Sequence, residues 1–454
     1  MLNDIVSRFL LVFLSIETIL QDTTIYRRRQ RLREMEGGLG LGSAYGAMVG
    51  RIKAQGGERA RLGMAVLMWI SHSRRPLQVD ELGQAIAIRI GSSDLDNDEI
   101  PAIPTWLSCC QGLVIVDKGA STVRLIHFTL QEYLGTHSDL FGKAHATMAE
   151  TCLTYLNFQH VKDLSANAFP DQRGTPFLEY SALYWGTHMR MEHSDRAKTL
   201  ALELLGRCDS HTAAKYLWKS VKKGLPNYCY ATGKPFPGLH CISYFGIADV
   251  ADTLIQMNRW DVNQKDGAGL TPLIWAARYG HEDAVLLLLQ QKHIQPDKRD
   301  RKEGRTALSW AAGNGHEGVV RFFLGPRFIN PGSIGRVWGA PLVVGQMFGT
   351  RYVNPDAPDT RYGRTPLLWA TRNGHEGIVK LLLERKDVTP DTPDTRYGRT
   401  PLSWAAGNGQ EGIVKLLLER KDVTPDTPDT RDGLTPLILA AKNRHASIVE
   451  LLQA

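Results

Sequence analysis

A Thr-Pro-Leu tripeptide, or its variant Thr-Ala-Leu, opens five segments of the chain, at Thr271, Thr306, Thr365, Thr400 and Thr435. The spacings are 35, 59, 35 and 35 residues. A period of this length constrains the fold more than any other feature. Each copy is one small unit that can bury its apolar face only against its neighbours, so the copies must stack. A weaker copy runs from Gly238-Leu239-His240 to Leu254. Two consecutive copies, Asp359–Pro393 and Asp394–Pro428, differ at four positions: Leu368/Ser403, Thr371/Ala406, Arg372/Gly407 and His375/Gln410.

Each unit reads as helix, turn, helix, loop. Thr caps the first helix, and Pro occupies its first position, where the missing N–H costs nothing. Leu367-Leu368-Trp369-Ala370 gives a short apolar helix, and Asn373-Gly374 ends it with a residue that tolerates positive φ. Ile378, Val379, Leu381, Leu382 and Leu383 give a second, amphipathic helix. Arg385–Arg399 reads as a long loop rich in Pro, Asp and Thr. The Thr-Pro-Leu openings and the Gly-His turns at Gly280-His281, Gly315-His316 and Gly374-His375 resemble the ankyrin repeat. The period of 35 implies a finger loop about two residues longer than usual in that family. In the last unit Asn443-Arg444-His445 lacks the turn glycine. The 59-residue spacing leaves 24 extra residues within Gly325–Tyr352, a segment that includes Gly332, Gly335, Gly339, Gly345 and Gly349 and has no repeat pattern. A collapsed repeat, a surface loop and a retained intron all fit this segment.

Before the repeats the texture changes. Leu2–Leu20 reads as an amphipathic helix with Ile5, Phe9, Val12, Phe13, Ile16 and Ile19 on one face, followed by the basic run Tyr26–Arg33. Helices are expected at Arg61–Ser71, Asp80–Ile90 (capped by Val79-Asp80) and Pro104–Gln111. Strands follow at Leu113–Asp117 and Thr122–Phe128, around a turn at Lys118–Ser121. Three helices and a hairpin make a winged helix. Further helices are expected at Met148–Phe158, Phe177–Met189 and Ala197–Leu205. The phrase His127-Phe128-Thr129-Leu130-Gln131-Glu132-Tyr133-Leu134 is similar to the signature that closes the winged helix following the NACHT ATPase in NLR-like and fungal STAND proteins. It also resembles the winged-helix segment named after GPI inositol-deacylases. That resemblance implies that Leu2–Leu20 and Ile52–Gln55 are the end of a NACHT-like module.

The expected fold is therefore mainly α: a winged helix plus a helical connector, followed by an ankyrin-repeat solenoid. The expected boundaries are 1–57 for the NACHT-like remnant, 58–141 for the winged helix, 142–236 for the connector and 237–454 for about six repeats, interrupted within 325–352.

The chemistry of the chain excludes several functions. A hydrophobic content of 43% and a charged content of 22% are those of a globular chain, not a disordered one. The longest apolar run, Met64–Ile70, is far short of a membrane span. Cys109, Cys110, Cys152, Cys208, Cys229 and Cys241 form no CxxC pair, so no metal site is expected and reduced intracellular thiols are. No secretory signal is expected, because Asp4 precedes the apolar stretch and no small-residue cleavage site follows. A cytoplasmic location is the expectation.

No G-x-x-x-x-G-K-[ST] sequence is present, and Gly37–Gly42 reads as a loop rather than a phosphate cradle. His127 matches the family position that contacts the β-phosphate of ADP, but without the rest of the pocket local packing is its expected role. The recognition helix Pro104–Gln111 has no Lys or Arg, so no nucleic-acid partner is expected. No catalytic constellation, cofactor or metal is expected, and Cys109-Cys110 read as core thiols.

A non-enzymatic scaffold remains, holding protein partners on its ankyrin repeats. Its candidate contact residues are Arg361, Tyr362 and Arg364 in one unit and Arg396, Tyr397 and Arg399 in the next, suited to an acidic surface. The resemblance implies an alternative: the sensor part of an NTP-driven STAND switch whose ATPase core lies elsewhere. A third reading is a degenerate product that self-associates through exposed N-terminal surface.

Overall fold

A computed structural model describes residues 23–36, 41–164, 174–207, 211–214, 216–217, 237–258, 260–325 and 353–453. The helix expected at Leu2–Leu20 and the irregular segment 326–352 lie outside the described residues. The chain forms two compact units, Met1–Leu200 and Ala201–Ala454.

The first unit is a winged helix with its flanking helices. Helices Leu41–Ala54, Gly57–His72, Val79–Ala87 and Ile103–Cys109 surround a three-stranded antiparallel sheet. Its strands are β1 (Leu77–Gln78), β2 (Val114–Asp117) and β3 (Thr122–Leu125), in the order β1-β3-β2. Leu77 and Val116 both face Val123, so apolar side chains of all three strands meet on one face. β1 was not legible in advance, because two residues are too few to show alternation. Gly42 departs from the expected loop and lies inside Leu41–Ala54. The helix expected from Asp80 starts at Val79, and its cap is Gln78, whose backbone N–H donates to Glu81 at 2.8 Å.

Helices Ala144–Leu156 and Leu178–Met191 pack side by side in the same unit. Trp69, Tyr155, Phe158, Phe177 and Tyr180 are buried there, in a web of edge-on and stacked rings. His72, His145 and His188 sit against this core. The Nδ1 atoms of His145 and His188 are 2.9 Å apart, and the Tyr180 hydroxyl is 2.9 Å from His188 Nε2.

The second unit is the repeat stack. Its first helices are Gly238–Phe245, Pro272–Arg278, Ala307–Asn314, Pro366–Arg372, Pro401–Gly407 and Pro436–Lys442. Each is followed by a second helix, the last being Ala446–Gln453. Thr271, Thr306, Thr365, Thr400 and Thr435 each accept a hydrogen bond from the backbone N–H three residues on. Such a cap is worth about 1 kcal/mol. The weaker first copy has Pro237 at this position and no side-chain cap. Ala276, Ala277, Ala311, Ala312, Ala405 and Ala406 are buried, which lets successive first helices lie close together.

The units on either side of the 59-residue spacing touch directly. Asn373 Nδ2 donates to the Gly313 carbonyl at 2.6 Å, and Arg385 Nη1 donates to that of Leu324 at 2.8 Å. The Thr360 N–H donates to the Glu303 carbonyl at 3.0 Å. Among the described residues no further repeat stands between them.

A candidate interaction face on the repeats

From the second repeat on, the finger loop before each first helix is built on one buried aspartate, at Asp266, Asp300, Asp359, Asp394 and Asp429. Asp300 Oδ1 accepts from the backbone N–H groups of Lys302 and Glu303, both at 2.8 Å. Asp359, Asp394 and Asp429 hold their own fingers in the same way, through Tyr362 at 2.6 Å, Tyr397 at 2.7 Å and Asp432 at 2.8 Å. The second carboxylate oxygen points at the first helix. There it accepts from the indole N–H of the tryptophan in that helix: Trp275 on Asp266 at 2.7 Å, Trp310 on Asp300 at 3.0 Å, Trp369 on Asp359 at 2.9 Å and Trp404 on Asp394 at 3.1 Å. Finger and helix are thereby locked together. In the last unit Leu439 stands where the tryptophan would be.

Arginines extend this lock from one repeat to the next. Arg364 donates to Asp394 of the following finger at 3.3 and 3.4 Å, and Arg399 donates to Asp429 at 3.0 Å. Arg364 also lies over Trp369 and Trp404, at 4.9 and 5.6 Å from the ring centres, and Arg305 lies over Trp310 at 4.4 Å. The result is an alternating ladder of aspartate, indole and guanidinium. Fingers also bond edge to edge: the Thr395 N–H donates to the Tyr362 carbonyl at 2.7 Å, and that of Thr430 to Tyr397 at 2.9 Å. Burial raises the Asp429 carboxyl, but the N–H of Asp432, Arg399 and the N–H of Leu434 outweigh it and hold it below the usual range. At Asp266 burial wins, and its carboxyl is raised. The residue in the equivalent place one repeat before Asp300 is Leu270, so the lower end of the ladder has no such arginine.

The six residues read from the sequence as contacts divide. Arg361 and Arg396 are exposed at the finger tips, over the half-buried rings of Tyr362 and Tyr397 at 4.9 and 5.1 Å. Arg399 is half-buried and paired with Asp429. Arg364 must be corrected. It is 2% exposed and spent on Asp394, so it supports the face from behind and cannot meet a partner. The repeat period shows that Arg361 and Arg364 recur, but not which of the two turns inward.

Turns carry the remaining contacts between repeats. Nε2 of His281, His316 and His375 donates to the carbonyls of Tyr244, Arg278 and Gly313, at 2.7, 2.8 and 3.1 Å. Gly374 and Gly409 hold these turns with φ of 79° and 77°. Arg444 does the same work in the last unit with φ of 63°.

Elsewhere the candidate chemistry is structural. His127 caps helix Phe128–Thr136: its Nδ1 accepts from the Thr129 N–H at 3.3 Å and is 2.8 Å from the Thr129 hydroxyl, which Tyr45 also reaches at 2.8 Å. Cys109 and Cys110 are buried, and burial pushes the Cys110 thiol up to about 12. Helix Ile103–Cys109 carries no basic residue. Among the described residues no cluster of His, Cys, Asp or Glu is placed to hold a metal. No described helix is long and apolar enough to cross a membrane.

Comparison with known proteins gives two family matches. Ankyrin repeats match three times, over 239–333, 342–429 and 391–454. The winged helix domain of GPI inositol-deacylase matches residues 51–144. Similar solved structures include an ankyrin repeat domain from Acinetobacter baumannii, 24% identical with a TM-score of 0.38, covering 47% of this chain and 95% of its own. The ankyrin repeat domain of Bcl-3, of the IkappaB protein family, is 19% identical with a TM-score of 0.39, covering 56% of this chain and 95% of its own. No curated protein matches the chain significantly.

Proposed function

We propose that this chain, which carries ankyrin repeats behind a winged helix, is a non-enzymatic intracellular scaffold or regulator that holds protein partners on its repeats. One observation carries the reading: the fingers at Asp266, Asp300, Asp359 and Asp394 are each tied to their own first helix by a tryptophan, and Arg364 and Arg399 tie two successive repeats to the next finger. A surface braced in this way loses little side-chain freedom when it binds, which favours recognition. The buried carboxylates are consumed by this bracing and are not offered to a substrate.

The alternative reading, part of an NTP-driven STAND switch, draws on the winged-helix match and on the His127–Leu134 phrase. In this chain, however, His127 is occupied in capping a helix.

The test is site-specific photo-crosslinking of the full chain in a lysate of its source cells. A crosslinker at Tyr362 or Tyr397 is expected to trap one recurring protein, whereas a crosslinker at the exposed Tyr26 traps none. Equal trapping at all three sites would contradict the reading.

A further inference from the structure

The partner's chemistry is written on the exposed side of the first helices. The seventh residue after each capping Thr is Arg278, Gly313, Arg372, Gly407 and Lys442 in turn; Lys442 is exposed, Arg278, Arg372 and Gly407 are half-buried, and Gly313 is buried. Apart from those three cations, helices Pro272–Arg278, Ala307–Asn314, Pro366–Arg372, Pro401–Gly407 and Pro436–Lys442 carry no charge, and none holds Asp or Glu. The acidic residues of the repeats lie elsewhere: in the fingers, at the starts of second helices (Glu282, Glu317, Glu376 and Glu411), and in the loops that follow, such as Asp387, Asp391, Asp422 and Asp426.

Arg372 is the clearest of the cations. It is half-buried and lies over Trp369 and Trp404, at 5.6 and 5.2 Å from the ring centres. Among the described residues no carboxylate forms a salt bridge with it. Burial first, and then the like charge of Arg364, push its pKa down. Asp394, Tyr397 and Tyr362 pull the other way without overcoming the burial, so a further anion at Arg372 would be stabilising.

The glycines between the cations are not forced by a close clash. A Cβ at Gly313 would find its nearest neighbour at 3.6 Å, and one at Gly407 at 3.8 Å, which are ordinary contacts. Glycine inside a helix costs about 0.5–1 kcal/mol against alanine. Gly407 is half-buried, whereas Gly313 is buried and its carbonyl accepts from Asn373 of the next repeat. The two near-identical repeats point the same way. All four of their differences fall between 368 and 375, in the first helix and its turn, and one of them is Arg372/Gly407. The ladder and the finger are unchanged between the copies.

We propose that this face binds an extended acidic segment of another protein, with carboxylates on Arg278, Arg372 and Lys442 and backbone seated where Gly407 leaves room beside Arg372. The proposal rests on the scaffold reading above and supplies its partner chemistry. The cations stand two repeats apart, about 16–20 Å at ordinary helix spacing, or about five or six residues of extended chain. The segment 326–352 of this chain is no candidate occupant, since it holds three arginines and no acid. Three cations so far apart also suit a nucleic acid poorly, because its affinity grows with the number of neighbouring phosphates neutralised.

The test uses the full chain and a fluorescent peptide of about 14 residues with Asp-Glu pairs every five or six positions. Its anisotropy should report saturable binding. Arg372→Glu should weaken it at least about tenfold, and Arg361→Glu at a finger tip by less than about threefold. Gly407→Leu, which fills that room without touching a charge, should also weaken it, and remains informative if Arg372→Glu lowers the melting temperature. Undiminished binding by both Arg372→Glu and Gly407→Leu would overturn the proposal, as would tighter binding of a single-stranded oligonucleotide of equal length. A chain that crosslinks partners at Tyr362 but ignores the acidic peptide would overturn the acidic chemistry alone. Failure of both experiments would take the scaffold reading with it.

Discussion

Asp394 does three things at once: it turns its finger, accepts the Trp404 indole and neutralises Arg364 of the preceding repeat. Asp394→Asn leaves that buried guanidinium without its charge partner, and should cost about 3–5 kcal/mol in urea denaturation. Asp266→Asn has no such arginine to strand and should cost about 1–2 kcal/mol. Equal losses would show that the arginine pairing contributes nothing. The histidines of the first unit give a pH dependence. His188 is pushed down to about 3 by burial first, with the charges of His145, Arg74 and His72 adding to it. Its folded pKa lies below the unfolded one, so stability is full above about pH 6.5 and falls as the unfolded chain takes up the proton. Between pH 6.5 and 5 the loss should be about 2 kcal/mol for this residue. Denaturation followed by fluorescence at pH 7.5 and 5 should show it, and His188→Gln should flatten it.

At the scale of the element, much was legible and the reasons are specific. The Thr caps, the positions of both helices in each repeat and the hairpin of the wing follow from local chemistry that the side chains carry with them. The ladder does not, although its parts recur at fixed spacing. Periodicity cannot show that Arg364 crosses to the next repeat while Arg361 stays at the tip, because that depends on a neighbour in space. For the same reason the sequence pointed to the fingers, and the first-helix cations went unread. The missing turn glycine was visible, and its consequence is now physical. Arg444 occupies the left-handed region at φ 63°, where a Cβ is unfavourable. Arg444→Gly should stabilise the last repeat by about 0.5–1 kcal/mol, read as a higher denaturation midpoint. The 59-residue spacing gives a further test. Removing residues 329–352 restores the 35-residue period between units that already touch at Gly313–Asn373 and Leu324–Arg385. Stability should change by less than about 1 kcal/mol, since loop length enters only logarithmically. Loss of cooperative unfolding would mean that the segment is structural.

For the whole molecule, the account comes down to where a partner sits. The ladder stiffens the fingers and first helices, which carry the cations Arg361, Arg396 and Arg372 and the half-buried rings of Tyr362 and Tyr397. Four of the second helices open on glutamate instead, at Glu282, Glu317, Glu376 and Glu411. The measurement that decides the matter is hydrogen exchange of the full chain, with and without the protein trapped at Tyr362. Added protection is predicted in the fingers and first helices around 300–314, 359–372 and 394–407, with little change in 41–164. Protection confined to 41–164, or to the second helices alone, would contradict the account.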